Sequence, residues 1–349
     1  YEHAVAFFSE PVLGRHDKTQ FELFCFHAGT RNDAVTARFR KHADHWHDIA
    51  HLSDEAACRL VQELGIDILV DLSGHTSGNR LGLFMRRPAP VQAHWLGYLT
   101  TTGLESMDYR ITDARADPPD EGGRRYSETL VRLSSVWAFD GPAQGAPPVS
   151  GLPCLASGTF TFGCFNALAK LTGEVLECWS TVLRRVPGSV LSLANAQHAS
   201  SRARIARAFE RHGISSSRLR FAPRLPLARF LELHHGVDMA LDPFPYNGGV
   251  TTCHALWMGV PVLTLRGDRY MARIGADMLE QLGLANFVAT SVDDYIRLAL
   301  NWSEQRSELA EIRRSLRERV SASTLGNPAL NALELEAAYR SMWRKWCSG

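Results

Sequence analysis

The stretch Leu241-Asp242-Pro243-Phe244-Pro245-Tyr246-Asn247-Gly248-Gly249-Val250-Thr251-Thr252-Cys253-His254-Ala255-Leu256-Trp257 carries most of the chemistry legible in this chain. It reads as an apolar strand over 237–241, a Gly-containing loop and an apolar-periodic helix. The open amino end of such a helix presents unpaired N–H groups and the positive end of the helix dipole, which together make an anion site. Asn, Gly and Thr in the loop let a phosphate approach the backbone. The same pattern also serves as a plain strand–loop–helix connection in parallel α/β domains. Lys170 follows another strand, in Phe165-Asn166-Ala167-Leu168-Ala169-Lys170. A lysine is a compact point charge suited to phosphate; read otherwise, it is a solvated surface side chain. Asp71 and His75 close a third, buried strand, where open α/β sheets place ligands. Their plainer readings are a turn carboxylate and a hydrogen-bonded turn histidine.

The elements that must hold these groups fall into two α/β blocks. In the first, strands are expected over 21–26, 66–72, 91–96, 109–112 and 129–133, with helices over 33–43 and 53–64, the latter capped by Ser53. Residues 143–158 are rich in Pro, Gly and Ala and read as a linker. The second block alternates strands over 160–165, 190–194, 219–222, 237–241, 260–265 and 287–289 with helices over 172–185, 201–212, 227–235, 251–258 and 270–282. That alternation implies a parallel sheet with right-handed crossovers. Two helices over 292–320 and one over 328–346 follow. The spans expected are 1–142 and 159–325, with 326–349 a helix packing back on the first domain.

Length and composition narrow the function. The 349 residues suffice for two domains with full cores. A net charge of +1, with acids and bases mixed, argues against a nucleic-acid surface. No apolar run approaches the roughly 20 residues of a membrane helix, and no signal-peptide pattern is present. The seven cysteines are odd in number and dispersed, which reads as reduced thiols of a cytoplasmic protein. Neither they nor the fourteen histidines show metal-ligand spacing.

Four segments in order resemble one family. They are Ile68-Leu69-Val70-Asp71-Leu72-Ser73-Gly74-His75-Thr76; Arg87-Pro88-Ala89-Pro90-Val91-Gln92 with Trp95-Leu96-Gly97-Tyr98; Phe162-Gly163-Cys164-Phe165-Asn166-Ala167-Leu168-Ala169-Lys170; and the stretch opening at Leu241. Together they resemble the catalytic region of bacterial O-GlcNAc transferase and SPINDLY-like protein glycosyltransferases, glycosyltransferase family 41. The resemblance implies a GT-B fold, two Rossmann-like domains facing across a cleft that holds the site. It implies tetratricopeptide repeats upstream in the full-length protein, and a first strand just before His3 that is missing here.

The resemblance also assigns roles. Lys170 contacts the donor diphosphate, with Asn166 positioning the same loop. Asn247, Gly248, Gly249, Val250, Thr251 and Thr252 cup the nucleotide. His254 stands where an acidic residue holds the ribose, and Phe230 where a His lies against the base. His3 falls on a histidine discussed as general base, for which a neutral imidazole is apt, while Asp71 and His75 shape the floor beneath the sugar. Ala167, Gly249, Val250, Phe230 and His254 depart from the family's usual residues, so some donor contacts are lost or pass to the backbone. The function implied is metal-independent transfer of a sugar to Ser or Thr of a protein or peptide, with UDP-GlcNAc as first choice of donor and no cofactor. SPINDLY-like transfer from GDP-fucose is the alternative, because the wording of two motifs is at least as close to those members. The departures keep open a catalytically degenerate, nucleotide-binding scaffold.

Overall fold

The structure, a computed structural model, describes residues 1–119 and 125–349. It divides into one unit of Tyr1–Asp140 with Thr324–Gly349, and a second of Gly141–Ser323. In the first, β1 (Phe24–His27) and β2 (His45–Asp48) pair in parallel. β3 (Ile68–Asp71), β4 (Val91–His94), β5 (Tyr109–Asp113) and β6 (Thr129–Leu133) form a separate parallel sheet in that order. Helix Asp54–Glu63 begins where Ser53 Oγ accepts the Ala56 N–H at 3.1 Å, with Asp54 and Glu55 at its positive end. Its Ala57, Cys58 and Val61 share one face and bury it against Leu69, Leu83, Phe84 and Met107. The last helix, Pro328–Cys347, belongs to this unit and packs on helix Ala6–Leu13, β4 and β6. Its Glu336 accepts the Asp17 N–H at 2.8 Å and meets His16 Nδ1 at 3.0 Å.

The second unit is one parallel sheet, ordered β12-β11-β10-β7-β8-β9. Its strands are β7 (Thr161–Cys164), β8 (Val190–Leu193), β9 (Leu219–Phe221), β10 (Met239–Leu241), β11 (Val262–Leu265) and β12 (Val288–Ala289). The chain enters at the centre with β7, builds outward through β8 and β9, then returns to β10 and builds the other way. β7 and β10 therefore lie side by side with their following loops diverging, the topological switch point at which doubly wound sheets bind ligands. The loops that leave them carry Lys170 and Gly248. Every residue of β7 is buried, and the backbone there is approached closely: a Cβ on Gly163 would lie 2.7 Å from Val237 Cγ1. Helix Gly173–Arg185 covers the sheet with Val175, Leu176, Trp179, Val182 and Leu183, all buried and at helical spacing.

One expectation changes and two further elements are found. Residues 143–158, expected as a linker, are built into the second unit and contain helix Pro153–Ser157. Buried charges stitch them down. Asp238 accepts the N–H groups of Cys154 and Thr161 at 2.8 and 2.7 Å, and Arg313 Nε donates to Ser150 O at 2.8 Å. Strand β2 went unread because His45-Trp46-His47-Asp48 has no apolar alternation and lies at a sheet edge. Helix Ala6–Leu13 went unread because Pro11 lies inside it.

Gly97 fixes where the loop after β3 runs, since a Cβ there would lie 1.8 Å from the Leu72 carbonyl oxygen. Gly97→Ala is expected to lower the unfolding free energy of the first unit by about 1–3 kcal/mol, the usual range for overpacking. Urea titration checks this; coincident midpoints for parent and variant would contradict it.

Candidate anion site at the strand switch point

The Lys170 side chain crosses from the loop after β7 to the loop after β10. Its Nζ donates to the Asn247 carbonyl at 2.6 Å and to Asn166 Oδ1 at 3.3 Å. The same ammonium lies 4.0 Å from the centre of the Tyr246 ring. All three partners are neutral. Asp242 acts on Lys170 only through its field, and no carboxylate of the described residues forms an ion pair with it. Burial therefore lowers the lysine pKa, partly countered by Asp242. The charge is held in place without an ion pair among the described residues.

The opposite wall is the start of helix Val250–Trp257. Gly249 occupies the cap position with no capping side chain, and its carbonyl takes the N–H groups of Thr252 and Cys253. The amide ends of Val250 and Thr251 thus stand at the open end. Thr251 Oγ1 donates to Asn166 Oδ1 at 2.9 Å, tying the helix start to the β7 loop. Asn166 is thereby bonded to both Lys170 and Thr251.

Asp242 holds the loop's turn. Its Oδ1 accepts the Gly248 N–H at 2.7 Å and its Oδ2 accepts the Thr264 hydroxyl at 2.8 Å. Gly248 has to be glycine, because a Cβ would meet Thr252 Oγ1 at 2.5 Å, Thr251 Oγ1 at 2.8 Å and Asp242 Oδ1 at 3.0 Å. Asn247 is fully buried, its Nδ2 donating to Pro243 O at 3.1 Å. Its side chain shapes the loop, and its carbonyl receives the lysine.

The structure thus brings Asn166, Lys170, Asn247, Gly248, Gly249, Val250, Thr251 and Thr252 together, and Ala167 lies exposed at the start of the turn that carries Lys170. His254 and Phe230 are placed differently. His254 is 3 % exposed, its ring 5.8 Å from Phe230, which also packs on Phe165 and His234. Burial pushes His254 down to about 3 and His234 to about 4, so both imidazoles are neutral. The two histidines and Phe230 thus form an aromatic cluster with Phe165.

In the first unit, Asp71 is 5 % exposed and engaged inside the protein, which fits its turn-carboxylate reading over a catalytic one. It accepts Ser73 N–H at 3.0 Å and Gly74 N–H at 2.7 Å, and meets His94 Nδ1 at 2.8 Å. His94 Nε2 faces the Tyr98 carbonyl at 2.9 Å and must donate there, so a further proton lies between His94 and Asp71. His75 is exposed, and its Nε2 must donate to the Thr102 carbonyl at 2.7 Å. In the neutral ring this puts the proton on Nε2 and leaves the lone pair on Nδ1. His3 is the reverse: its Nδ1 accepts the Val5 N–H at 3.3 Å. No hydrogen bond or ring contact joins His3 to His75 or Asp71 among the described residues.

Sequence reading passed over Asp242, Tyr246 and Glu128. Glu128 accepts from Thr101 Oγ1, Thr102 N and Thr102 Oγ1 and so fixes the carbonyl that His75 bonds. One signal for the lysine also went unused. The chain has 4 lysines against 34 arginines, and Lys170 is the single lysine between Lys41 and Lys345. A chain that otherwise carries its positive charge on arginine keeps a compact ammonium at this place.

Burial raises Asp242 from 3.8 to about 6, against the Gly248 and Thr264 bonds and the Lys170 charge. A raised folded pKa means stability fully present below 3.8 and lost as pH rises through 6. Asp242→Asn lacks that loss. Its stability relative to the parent is expected to rise between pH 4 and pH 7, by about 3 kcal/mol at most. Denaturant titrations across that range test it, and a pH-independent difference would contradict it.

A family model described as glycosyl transferase family 41 matches residues 2–142 and 151–334. The Arabidopsis thaliana protein named "probable UDP-N-acetylglucosamine–peptide N-acetylglucosaminyltransferase SPINDLY" is 39 % identical over all of this chain. The Arabidopsis protein of the same enzyme name called SEC is 28 % identical over 99 % of it. The chain spans 39 % of the length of the first and 36 % of the second. A mutant O-GlcNAc transferase of Thermobaculum terrenum superposes with a TM-score of 0.92 at 38 % identity, over all of this chain and 66 % of that one. Anabaena HepE, solved with UDP and glucose, shares the fold alone, at 12 % identity and a TM-score of 0.62 over 97 % of this chain and 96 % of its own. The two parallel-sheet units are of GT-B type, and the chain belongs to glycosyltransferase family 41.

Proposed function

We propose that this chain is the catalytic region of a protein O-glycosyltransferase. It moves a sugar, GlcNAc from UDP-GlcNAc in the first reading, to Ser or Thr hydroxyls without a metal. The observation that carries the reading is the Lys170 ammonium, held by neutral groups, beside the uncapped start of helix Val250–Trp257. A leaving nucleoside diphosphate gains negative charge as the glycosidic bond breaks. A fixed cation and fixed amide dipoles stabilise that charge without reorganising. Among the described residues no helix is long and apolar enough to cross a membrane, and no cluster of His, Cys, Asp and Glu has metal-binding form.

Loss of Lys170 removes a charge needed most in the transition state. Lys170→Ala is expected to slow single-turnover transfer by about 10²–10³-fold while weakening nucleotide binding by less than about tenfold. Equal transfer by parent and variant would overturn the assignment. Titrating the parent with UDP and with GDP, side by side, decides the base; tighter GDP binding selects the GDP-fucose reading.

On the acceptor side, the open Nδ1 lone pair favours His75 over His3 as proton acceptor. His75→Ala is expected to lower turnover by about 10²–10⁴-fold at unchanged donor affinity, with His3→Ala costing less. The opposite ranking would return the role to His3.

A further inference from the structure

The loop after β10 puts the aromatic ring of a residue that is 43 % exposed against the half-buried Lys170. The ring is that of Tyr246, exposed on a loop whose next two residues, Asn247 and Gly248, are buried. Its neighbour Asn247 supplies the carbonyl that receives Lys170 Nζ at 2.6 Å, so ring and carbonyl come from adjacent residues and confine the ammonium from two sides. Asn166 Oδ1, at 3.3 Å, is the third contact and the longer of the two hydrogen bonds.

We propose that Tyr246 is a positioning residue for Lys170: its π face holds the ammonium at the strand switch point without cancelling its charge. The inference rests on the reading of Lys170 as the diphosphate group and goes beyond it in saying what keeps that group in place. A carboxylate in the same position would hold the lysine more strongly, but would also neutralise it and repel the incoming diphosphate. A carbonyl, an amide oxygen and a ring face do neither. An aromatic face attracts a cation through its quadrupole and leaves the net charge at +1. Burial works against a protonated lysine here. The ring offsets part of that cost, as a solvating water would, but from a fixed position.

The scarcity of lysine makes the contact directly observable. Reductive methylation with ¹³C-formaldehyde labels four lysines and the chain's amino terminus and keeps the ammonium charge. Methyl groups over an aromatic face are shifted upfield. The Lys170 resonance, assigned by its loss in Lys170→Arg, is expected upfield in the parent and in Tyr246→Phe, and near the random-coil position in Tyr246→Leu. In unlabelled protein, Tyr246→Leu is expected to slow single-turnover transfer by about 3- to 30-fold, the range a partly desolvated cation–π contact corresponds to. Tyr246→Phe is expected to restore the parent rate. A Leu variant with parental shift and rate would overturn the proposal, as would a Phe variant as slow as Leu, which would assign the effect to the hydroxyl. Should Tyr246→Leu fail to fold, Tyr246→Met, which fills the volume without a ring, takes its place with the same expectations. If the parent transfers no sugar from either donor, the proposed function falls, and the methyl shifts alone still decide whether the ring holds the lysine.

Discussion

The arrangement depends on one electrostatic constraint: a single ammonium must be fixed among neutral partners at the point where the second sheet reverses its order. Lys170 meets a carbonyl, an amide oxygen and a ring, and the nearest carboxylate acts only through its field. Each surrounding feature follows from that. Asn166 must reach both the lysine and Thr251. Gly248 must lack a side chain so that Asp242 can hold the turn from beneath. Asp242 must lie far enough below to shape the loop without pairing with the cation.

Cost and purpose are visible together at Asp242. A buried carboxylate accepting one N–H and one hydroxyl is an expensive way to fix a turn near neutral pH, as its raised pKa records. An amide in its place would hold similar bonds. The negative charge instead tempers the local field and counters part of the desolvation of Lys170. Binding regions commonly carry such local conflicts, which the rest of the fold tolerates. The buried neutral pair His234 and His254 sets an opposite pH demand on the same unit. Their lowered pKa values mean stability that is present above 6.5 and lost as pH falls below it.

The strands of the second unit were legible because each is a short apolar run bounded by turn residues, and their alternation with helices dictated a parallel sheet. The turn from β10 into helix Val250–Trp257 was legible for the same local reason, a strand followed by glycines and a helix start. The order of the strands was not, because nothing local tells β10 to lie beside β7. That Lys170 and the loop after β10 serve one diphosphate was implied by the resemblance alone, and the bond from Lys170 to Asn247, 77 residues away, exists only through that order. The Pro-rich residues 143–158 misled because their anchors, Asp238 and Arg313, lie far along the chain. A motif position says nothing of which way a side chain turns, and the rings of His254 and Phe230 lie 5.8 Å apart in an aromatic cluster.

Backbone amide spectroscopy tests the central claim most directly. On titration of ¹⁵N-labelled protein with UDP or GDP, the account predicts that the amides of Val250 and Thr251 move downfield first and furthest, as a phosphate takes up their hydrogens. In Lys170→Ala the same two amides should move at higher ligand concentration. If a nucleotide binds while those amides stay fixed and others respond, the diphosphate is held elsewhere and the account is wrong.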